Sequence, residues 1–305
     1  MSNTSLRRST TLYSEKQGVN KSRFIKFSTV QPPFNMINDK AIKQIILFDF
    51  TIRFYISLLE RFIIAGYNFQ TVHDFFISPI RPCLILRHDV DKVTGSLLQF
   101  ARYESQHSIS ASYYFRHKTI IKNPDLISMI ADLGHKIGYH TNDLVESRGY
   151  EKKAINAFEN NIINLRKLCE VRTFTLHGAP YSKIDNHRLL AIINIKDLGL
   201  VGTPVECLKD PEIIYMTDSC RKWNNHGCNR RDYLYSLQNY LPTRTSGILS
   251  DLESGCLSPV IHMNIHPQHY TDNPLVWIGY KVFRIIVNSM KSAWLRQVNE
   301  NVHTK

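Results

Sequence analysis

Short apolar runs recur along the chain, and most of them end in polar residues. The clearest is Cys83-Leu84-Ile85-Leu86, which is followed directly by Arg87-His88-Asp89-Val90-Asp91. Short runs rich in apolar, β-branched and aromatic residues are typical of buried strands. The pattern predicts seven strands, at residues 84–86, 108–115, 136–139, 173–176, 200–205, 213–216 and 259–265.

Stretches with helical periodicity lie between the predicted strands. From Gly149 to Cys169 the apolar residues step by three and four, which indicates an amphipathic helix. Asn123-Pro124-Asp125 combines an N-cap residue, a proline at the first helical position and an acid in the first turn. Further helices are predicted at 42–64, 93–107, 185–193 and 277–296. Alternating strands and helices predict an α/β fold of parallel βαβ units.

Acids and histidines stand at the ends of five predicted strands: Asp89, Asp91, His140, His177, Asp218 and His266. Alternation along an extended chain sends Asp89 and Asp91 to one side, with Val90 opposite. Two neighbouring carboxylates need a cation or a proton between them. A solvated turn would also explain one acid pair. The recurrence favours a shared site, because closed parallel barrels gather reactive groups at the carboxyl ends of their strands.

The order of these motifs resembles the polysaccharide deacetylase family (the NodB-homology group, carbohydrate esterase family 4). It is most similar to a divergent branch of that family, through residues 86–91, 139–144, 177–180, 217–223 and 264–268. The resemblance extends from about Phe50 to Trp277. It implies a deformed (β/α)7 barrel and a divalent metal, most often zinc, that activates water for amide hydrolysis.

The resemblance also implies roles for individual residues. Asp89 would be the general base, Asp91 and His140 would be metal ligands, and His266 would be the general acid that protonates the departing amine. Independently of the resemblance, Asp218 is a candidate to orient His266 or another ring, since catalytic histidines commonly have such a partner, and an ordinary structural role fits it equally well.

One position departs from the wider family, which has its next metal ligand four residues after the first histidine. Here that position is Leu144, which cannot bind a metal. A catalytic zinc needs about three protein ligands and an open position for water. We therefore predict His177 as the replacement ligand, with Asp143 as the alternative.

Three further residues are candidates on weaker grounds. Arg87 would balance the charge of the acid pair. Arg221 and Trp223 would hold the sugar, one by charge and the other by stacking, although an ordinary structural role fits both equally well. His88 lies beside the acids, but alternation points it away from them.

Composition adds the domain organisation. The 305 residues are 43% hydrophobic, which is enough for one large core. Residues 1–35 are polar and basic and predict a flexible tail, while residues 36–300 predict a single barrel domain. The tail lacks the apolar core of a signal peptide, and six cysteines without such a signal favour a reduced, cytoplasmic protein.

A net charge of +12 favours an anionic partner. The predicted helix at 277–296 mixes apolar and basic residues and could lie peripherally on the inner face of a membrane. We favour the alternative, in which its apolar side closes the barrel and its basic side faces water. There is no phosphate-binding glycine loop and no nucleic-acid module, so nucleic acid is not an expected partner.

Together these features predict a metal-dependent hydrolase that removes an N-acyl group, expected to be acetyl, in cell-surface polysaccharide biosynthesis. The substrate would be an N-acylated sugar, a nucleotide-sugar or a lipid-linked glycan. The alternative is a catalytically impaired barrel that binds a glycan or an anionic partner, which the loss of the usual second histidine favours. Deformylation, or hydrolysis of another C–N bond, is a third option for the same site.

Overall fold

The computed structural model describes residues 49–179, 181–223 and 244–303, with side chains described up to residue 293. The predicted basic tail lies outside this part of the chain. The strands are β1 (Asn68–Gln70), β2 (Cys83–Val90), β3 (Ser112–Phe115), β4 (Lys136–Thr141), β5 (Val171–Leu176), β6 (Ile213–Thr217) and β7 (Val260–Ile265). The α-helices are α1 (Ile52–Ile64), α2 (Val72–Ile77), α3 (Gly95–Gln106), α4 (His117–Lys122), α5 (Pro124–Asp132), α6 (Asp143–Glu146), α7 (Glu151–Arg166), α8 (Pro204–Cys207), α9 (Thr245–Glu253) and α10 (Pro274–His303).

The seven strands form one parallel sheet in the order β5-β4-β3-β2-β7-β6, and β1 pairs with the first half of β2. The sheet curls strongly. Arg87 on β2 donates a hydrogen bond to Thr175 on β5 at 2.6 Å. In a flat sheet, three strand spacings would separate these residues by about 14 Å. The fold is therefore the expected deformed (β/α)7 barrel.

Strand β2 shows how the chain fills both sides of the curled sheet. Leu84, Leu86 and Val90 belong to the large outer core between the sheet and the helices. Cys83 and Ile85 belong to a smaller inner core. All eight residues of β2 are buried, so this strand has little contact with water on either side. Alternation then places Arg87 and Asp89 on the inner side, above the inner core.

One predicted strand, at residues 200–205, is wrong over most of its length. Only Gly202 pairs with β5, as an isolated bridge to Thr173. Pro204 then begins α8, and the Thr203 backbone N–H donates to the Glu206 carboxylate at 2.9 Å at its start. The cap signals therefore override the short apolar run. The predicted helix at 185–193 is a 3-10 helix over Asn186–Ala191, and β1 was not predicted.

Helix α10 has the reverse of the orientation that we favoured from the sequence. Its apolar residues point to solvent, and eight of them are at least half exposed: Leu275, Val276, Ile278, Val282, Phe283, Ile285, Ile286 and Met290. The opposite side is buried and includes Trp277, Asn288 and Lys291. Within the described residues, no helix is both long and apolar enough to cross a membrane.

Candidate active site

Three predicted metal ligands meet at the carboxyl ends of the strands. Asp91 follows β2, His140 lies near the end of β4, and His177 follows β5. The Asp91 Oδ1 atom lies 3.3 Å from His140 Nε2 and 3.7 Å from His177 Nε2. All three ligand atoms lie within 4.8 Å of one another. The curl of the sheet thus brings together side chains from strands that are not neighbours.

The chemistry of this group fits a divalent metal such as zinc, which takes nitrogen and carboxylate ligands. Burial lowers the pKa of His177 to about 3, so the ring is neutral and able to coordinate. Burial opposes the ionisation of Asp91, but the hydrogen bond and charge of His140 hold its pKa well below the usual range. The donor set is therefore two imidazole nitrogens and one carboxylate.

The His177 ring has a second contact that bears on coordination. Its Nδ1 atom accepts a hydrogen bond from the Ala179 N–H at 3.2 Å. A neutral ring that accepts at Nδ1 carries its proton on Nε2. Coordination through Nε2 moves that proton to Nδ1, and the bond from Ala179 is then lost.

Asp89 lies beside the group and is held by a neighbour on its own strand. Arg87 donates to both carboxylate oxygens, at 2.8 and 2.6 Å. Asn264 on β7 donates to Oδ2 at 3.2 Å. Burial opposes ionisation of Asp89, but the Arg87 guanidinium lowers its pKa to about 2. Arg87 therefore balances Asp89, and Asp89 is a fixed carboxylate at neutral pH.

His266 follows β7 and is held by Asp218, which follows β6. The Asp218 Oδ1 atom lies 2.5 Å from His266 Nδ1, and the carboxylate also accepts the His266 backbone N–H. Burial alone would lower the pKa of His266, but the Asp218 charge raises it to about 9. The predicted orienting role of Asp218 has this geometric basis.

Asp218, His266 and His269 form a second group whose ligand atoms lie within 4.8 Å of one another. These residues already form hydrogen bonds with one another. His269 Nδ1 lies 3.1 Å from the Asp218 backbone carbonyl oxygen, and the Asp218 carboxylate is hydrogen-bonded to His266 Nδ1. We therefore interpret this group as the support of His266.

These residues share one pocket of about 200 Å³, whose lining includes Asp89, Asp91, His140, His177 and His266. A cleft of about 780 Å³ lies next to it and shares three lining residues with it: Asp91, His269 and Arg284. Helix α10 supplies Arg284 and Lys291 to the pocket wall, a contribution that the sequence did not predict. The only signal was the basic character of the helix.

Residues 91–200 match the family model for polysaccharide deacetylases. The matched segment begins at Asp91 and includes His140 and His177. This part of the chain is therefore similar to polysaccharide deacetylases. Asp89 and His266 lie outside the matched segment but line the same pocket, and Asp218, also outside it, contacts His266. A search of curated proteins finds no match.

Several solved structures of polysaccharide deacetylases and carbohydrate esterases are similar to this chain at low identity. PdaA of Bacillus subtilis, a family 4 carbohydrate esterase, is 13% identical over 79% of this chain and 84% of its own, with a TM-score of 0.38. A polysaccharide deacetylase from Bacillus cereus is 11% identical over 64% of this chain and 83% of its own, with a TM-score of 0.39.

A mutant of a family 4 pseudoenzyme from Bacillus anthracis is 13% identical, with a TM-score of 0.38. The alignment covers 70% of this chain and 64% of the pseudoenzyme, so the chain spans less than two thirds of that protein.

The structure distinguishes between the two candidates for the third metal ligand. The Asp143 carboxylate accepts hydrogen bonds from Tyr139, Thr141 and Asn161, and it is outside the ligand group. Burial raises its pKa despite those bonds. Leu144 is fully buried in the outer core. The position of the usual second histidine therefore points away from the site.

The two predicted sugar-binding residues do not line the pocket. Trp223 is 3% exposed, donates to Thr245 at 2.7 Å and stacks on Phe50. Arg221 is 6% exposed and donates to the Trp277 carbonyl at 3.0 Å, with its guanidinium over the Trp277 ring. These contacts support the structural role that the sequence left open for both.

His88 faces the outer layer, as alternation predicted. It lies 3.0 Å from Glu104 on α3, whose carboxylate also accepts a hydrogen bond from Tyr113 at 2.7 Å. Glu104 is fully buried, and sequence reasoning missed it because a helix glutamate gives no sign of burial. This cluster joins α3 to the back of β2, directly behind Asp89.

Proposed function

We propose that this protein is a metal-dependent hydrolase that removes an N-acyl group, expected to be acetyl, from a sugar in cell-surface polysaccharide biosynthesis. One observation carries the proposal: Asp91, His140 and His177 converge within 4.8 Å, in a pocket that also contains Asp89 and His266. A ligand group, a carboxylate base and a protonated acid are what hydrolysis of an unactivated amide requires.

A divalent metal held by Asp91, His140 and His177 would polarise the acyl carbonyl and lower the pKa of a water molecule. Asp89 takes up the proton of that water. With Arg87 fixing both of its oxygens, the carboxylate loses no orientation when substrate enters. Its pKa of about 2 makes it a weak but permanently ionised base.

His266 supplies the proton that the departing amine needs. With a pKa of about 9, the ring is protonated at neutral pH. Asp218 holds Nδ1, so Nε2 is the ring nitrogen left to donate. Asp218 also accepts the His266 backbone N–H, and this second attachment fixes the position of the ring relative to the strand.

The size of the pocket supports a small group as the part that is processed. Its volume of about 200 Å³ is below the roughly 300–1,000 Å³ of sites that enclose drug-sized ligands. The adjoining cleft of about 780 Å³ offers room for the remainder of a larger glycan or carrier. We infer that the acylated sugar enters the pocket while its attached groups lie in the cleft.

The first experiment measures bound metal by elemental analysis of the purified chain and of Asp91→Ala, His140→Ala and His177→Ala. We expect about one equivalent of zinc or another divalent ion in the wild type, and loss of it in each variant. The exposed His107 provides the matched control, His107→Ala, which should retain metal. The same proteins are then assayed for acetate release from N-acetylated sugars.

Each outcome has a distinct meaning. Metal together with acetate release supports the proposal. Metal without acetate release, with formate release instead from N-formyl sugars, would replace deacetylation by deformylation. Failure to bind any divalent metal after reconstitution would contradict the hydrolase and leave the catalytically impaired barrel, whose test is glycan binding.

A further inference from the structure

Helix α10 turns two cations towards the pocket, and neither has a carboxylate partner within the described residues. The Lys291 side chain is 8% exposed, and the polar contact of its Nζ atom is the Cys220 Sγ at 3.4 Å. Arg284 is half-buried and has no hydrogen bond or ion pair in that part of the chain; its buried Nε atom lacks a partner. Both residues line the pocket.

Buried cations are normally paired, because a charge loses hydration energy when it leaves water. The acids in this pocket already have partners of their own. Asp89 is bonded to Arg87, and Asp91 lies against His140 and His177. Arg284 also lines the adjoining cleft, so it lies where the pocket meets the cleft, whereas Lys291 lines the pocket alone. The missing partner is therefore an anion that arrives with a ligand.

We propose that Arg284 and Lys291 form a phosphate subsite for an N-acylated sugar that carries a phosphate or diphosphate ester. The inference rests on the proposed function for the sugar itself. A guanidinium matches two phosphate oxygens and an ammonium adds a point charge, which suits a diphosphate. An uncharged polysaccharide would leave both cations without a partner.

The test measures pyrophosphate binding by calorimetry in the His140→Ala background, where the proposed metal site is broken. We expect Arg284→Gln with Lys291→Gln to weaken binding at least tenfold. Lys281→Gln removes an exposed cation from the same helix and should leave binding unchanged. The proposed phosphate subsite would be overturned if the double variant and its His140→Ala parent bound pyrophosphate with equal affinity, or if the parent did not bind it. Melting temperatures check the fold of each variant.

Two further ligands identify the source of the phosphate. A nucleoside diphosphate and a short prenyl diphosphate are titrated in the same way. Tighter binding of the first indicates a nucleotide carrier, and tighter binding of the second indicates a lipid carrier. None of these measurements depends on hydrolysis. A failure of the proposed deacetylation would therefore leave the binding result intact, and a failure of binding would leave acetate release untouched.

A second inference rests on the opposite side of α10. The eight exposed apolar residues, named here the outer face, lie between Leu275 and Met290. At 3.6 residues per turn they cover about half of the helix circumference, over a length of roughly 22 Å. A contiguous apolar surface of this kind marks an interaction site.

The charge of the helix selects the partner. Residues 273–299 contain no Asp or Glu, Lys281 beside Val282 of the outer face is an exposed cation, and the whole chain has a net charge of +12. A second copy of α10 would bring the same positive charge against the outer face. Residues 1–35 of the chain carry six cations and one acid, so they offer no better match. An anionic lipid surface complements both the apolar and the cationic character.

We infer that the outer face lies on an anionic membrane. Because α10 also forms one wall of the pocket, this arrangement would hold the pocket entrance close to the lipid surface. The test is sedimentation with vesicles of phosphatidylcholine, with and without phosphatidylglycerol. We expect binding to the anionic vesicles, weakened by salt.

Val282→Glu with Ile286→Glu should reduce vesicle binding at least tenfold, because both side chains belong to the outer face. Ile163→Glu is the control, since Ile163 on α7 is 52% exposed and outside α10. Light scattering gives the oligomeric state in parallel. Two results would overturn the inference. The first is vesicle binding by the double variant that equals that of the wild type. The second is a wild-type protein that does not bind vesicles but forms a dimer, where the double variant is monomeric.

Discussion

Replacing Asp218 by asparagine tests whether His266 is the general acid. The change keeps the shape of the side chain and removes the charge that lies 2.5 Å from His266 Nδ1. Because a general acid works in its protonated form, the rate falls as the pH rises through its pKa. We expect the alkaline limb of the kcat profile to move to lower pH.

The size of the effect follows from the pKa of His266. Its increase from 6.5 to about 9 corresponds to about 3 kcal/mol in favour of the protonated ring, at roughly 1.4 kcal/mol per tenfold change. Asp218 is the largest of the charges that raise it, so the variant should return the pKa towards 6.5. At about pH 7.5 the protonated fraction then falls from nearly all to about a tenth, and kcat falls about tenfold.

Two measurements check this. Acetate release by the metal-loaded enzyme gives the pH profile, and NMR titration of His266 in the metal-free protein gives its pKa directly. Asp125→Asn removes an exposed acid from the first turn of α5 and serves as the control. An alkaline limb and an NMR titration that both stay near pH 9 in Asp218→Asn would refute the role of Asp218.

Three further substitutions probe the environment of the site. Asp143→Asn should retain bound metal, measured by elemental analysis. Its free energy of unfolding should fall by about 1–3 kcal/mol, because a hydrogen-bonded buried carboxylate is lost. Loss of metal would show that Asp143 is a ligand. Leu144→His introduces a histidine at the position of the usual second ligand. It should not rescue metal binding in His177→Ala, because Leu144 is buried in the outer core. Rescue would mean that helix α6 can reorient. Glu104→Gln should lower the free energy of unfolding in urea by about 1–3 kcal/mol, since His88 and Tyr113 both contact the carboxylate. Unchanged stability, compared with the partly exposed control Glu159→Gln, would contradict that estimate.

The sequence predicted the strands that carry the site better than the elements around them. Strands β2, β4 and β7 are recognisable in the sequence as apolar runs that end in Asp or His. Alternation of side chains along β2 then predicts that Asp89 and Asp91 point to the inner side of the sheet. Strand β1 has three residues, which is too short for a periodic signal. Near Gly202, turn and cap residues outweighed an apolar run that looked like a strand.

Residue roles that depend on distant contacts could not be derived in the same way. The choice of His177 over Asp143 depends on the direction of each side chain, and both directions follow from packing against other elements. The orientation of α10 is a stronger case. Amphipathicity gives two sides to a helix, but it does not say which side faces the protein when a further surface is available to the apolar one. Our preference for the usual arrangement was wrong for that reason.

Strand β2 carries two independent polar systems on its two sides. Arg87 and Asp89 face the barrel interior, while His88 between them contacts Glu104 in the outer layer. Because side chains alternate, a one-residue insertion or deletion upstream in the strand would exchange the two sets and ruin both at once. Point substitutions, in contrast, affect one system at a time. The length of this strand is therefore under tighter constraint than its composition, and diversification of the site should proceed through the loops and α10 while β2 keeps its count of residues.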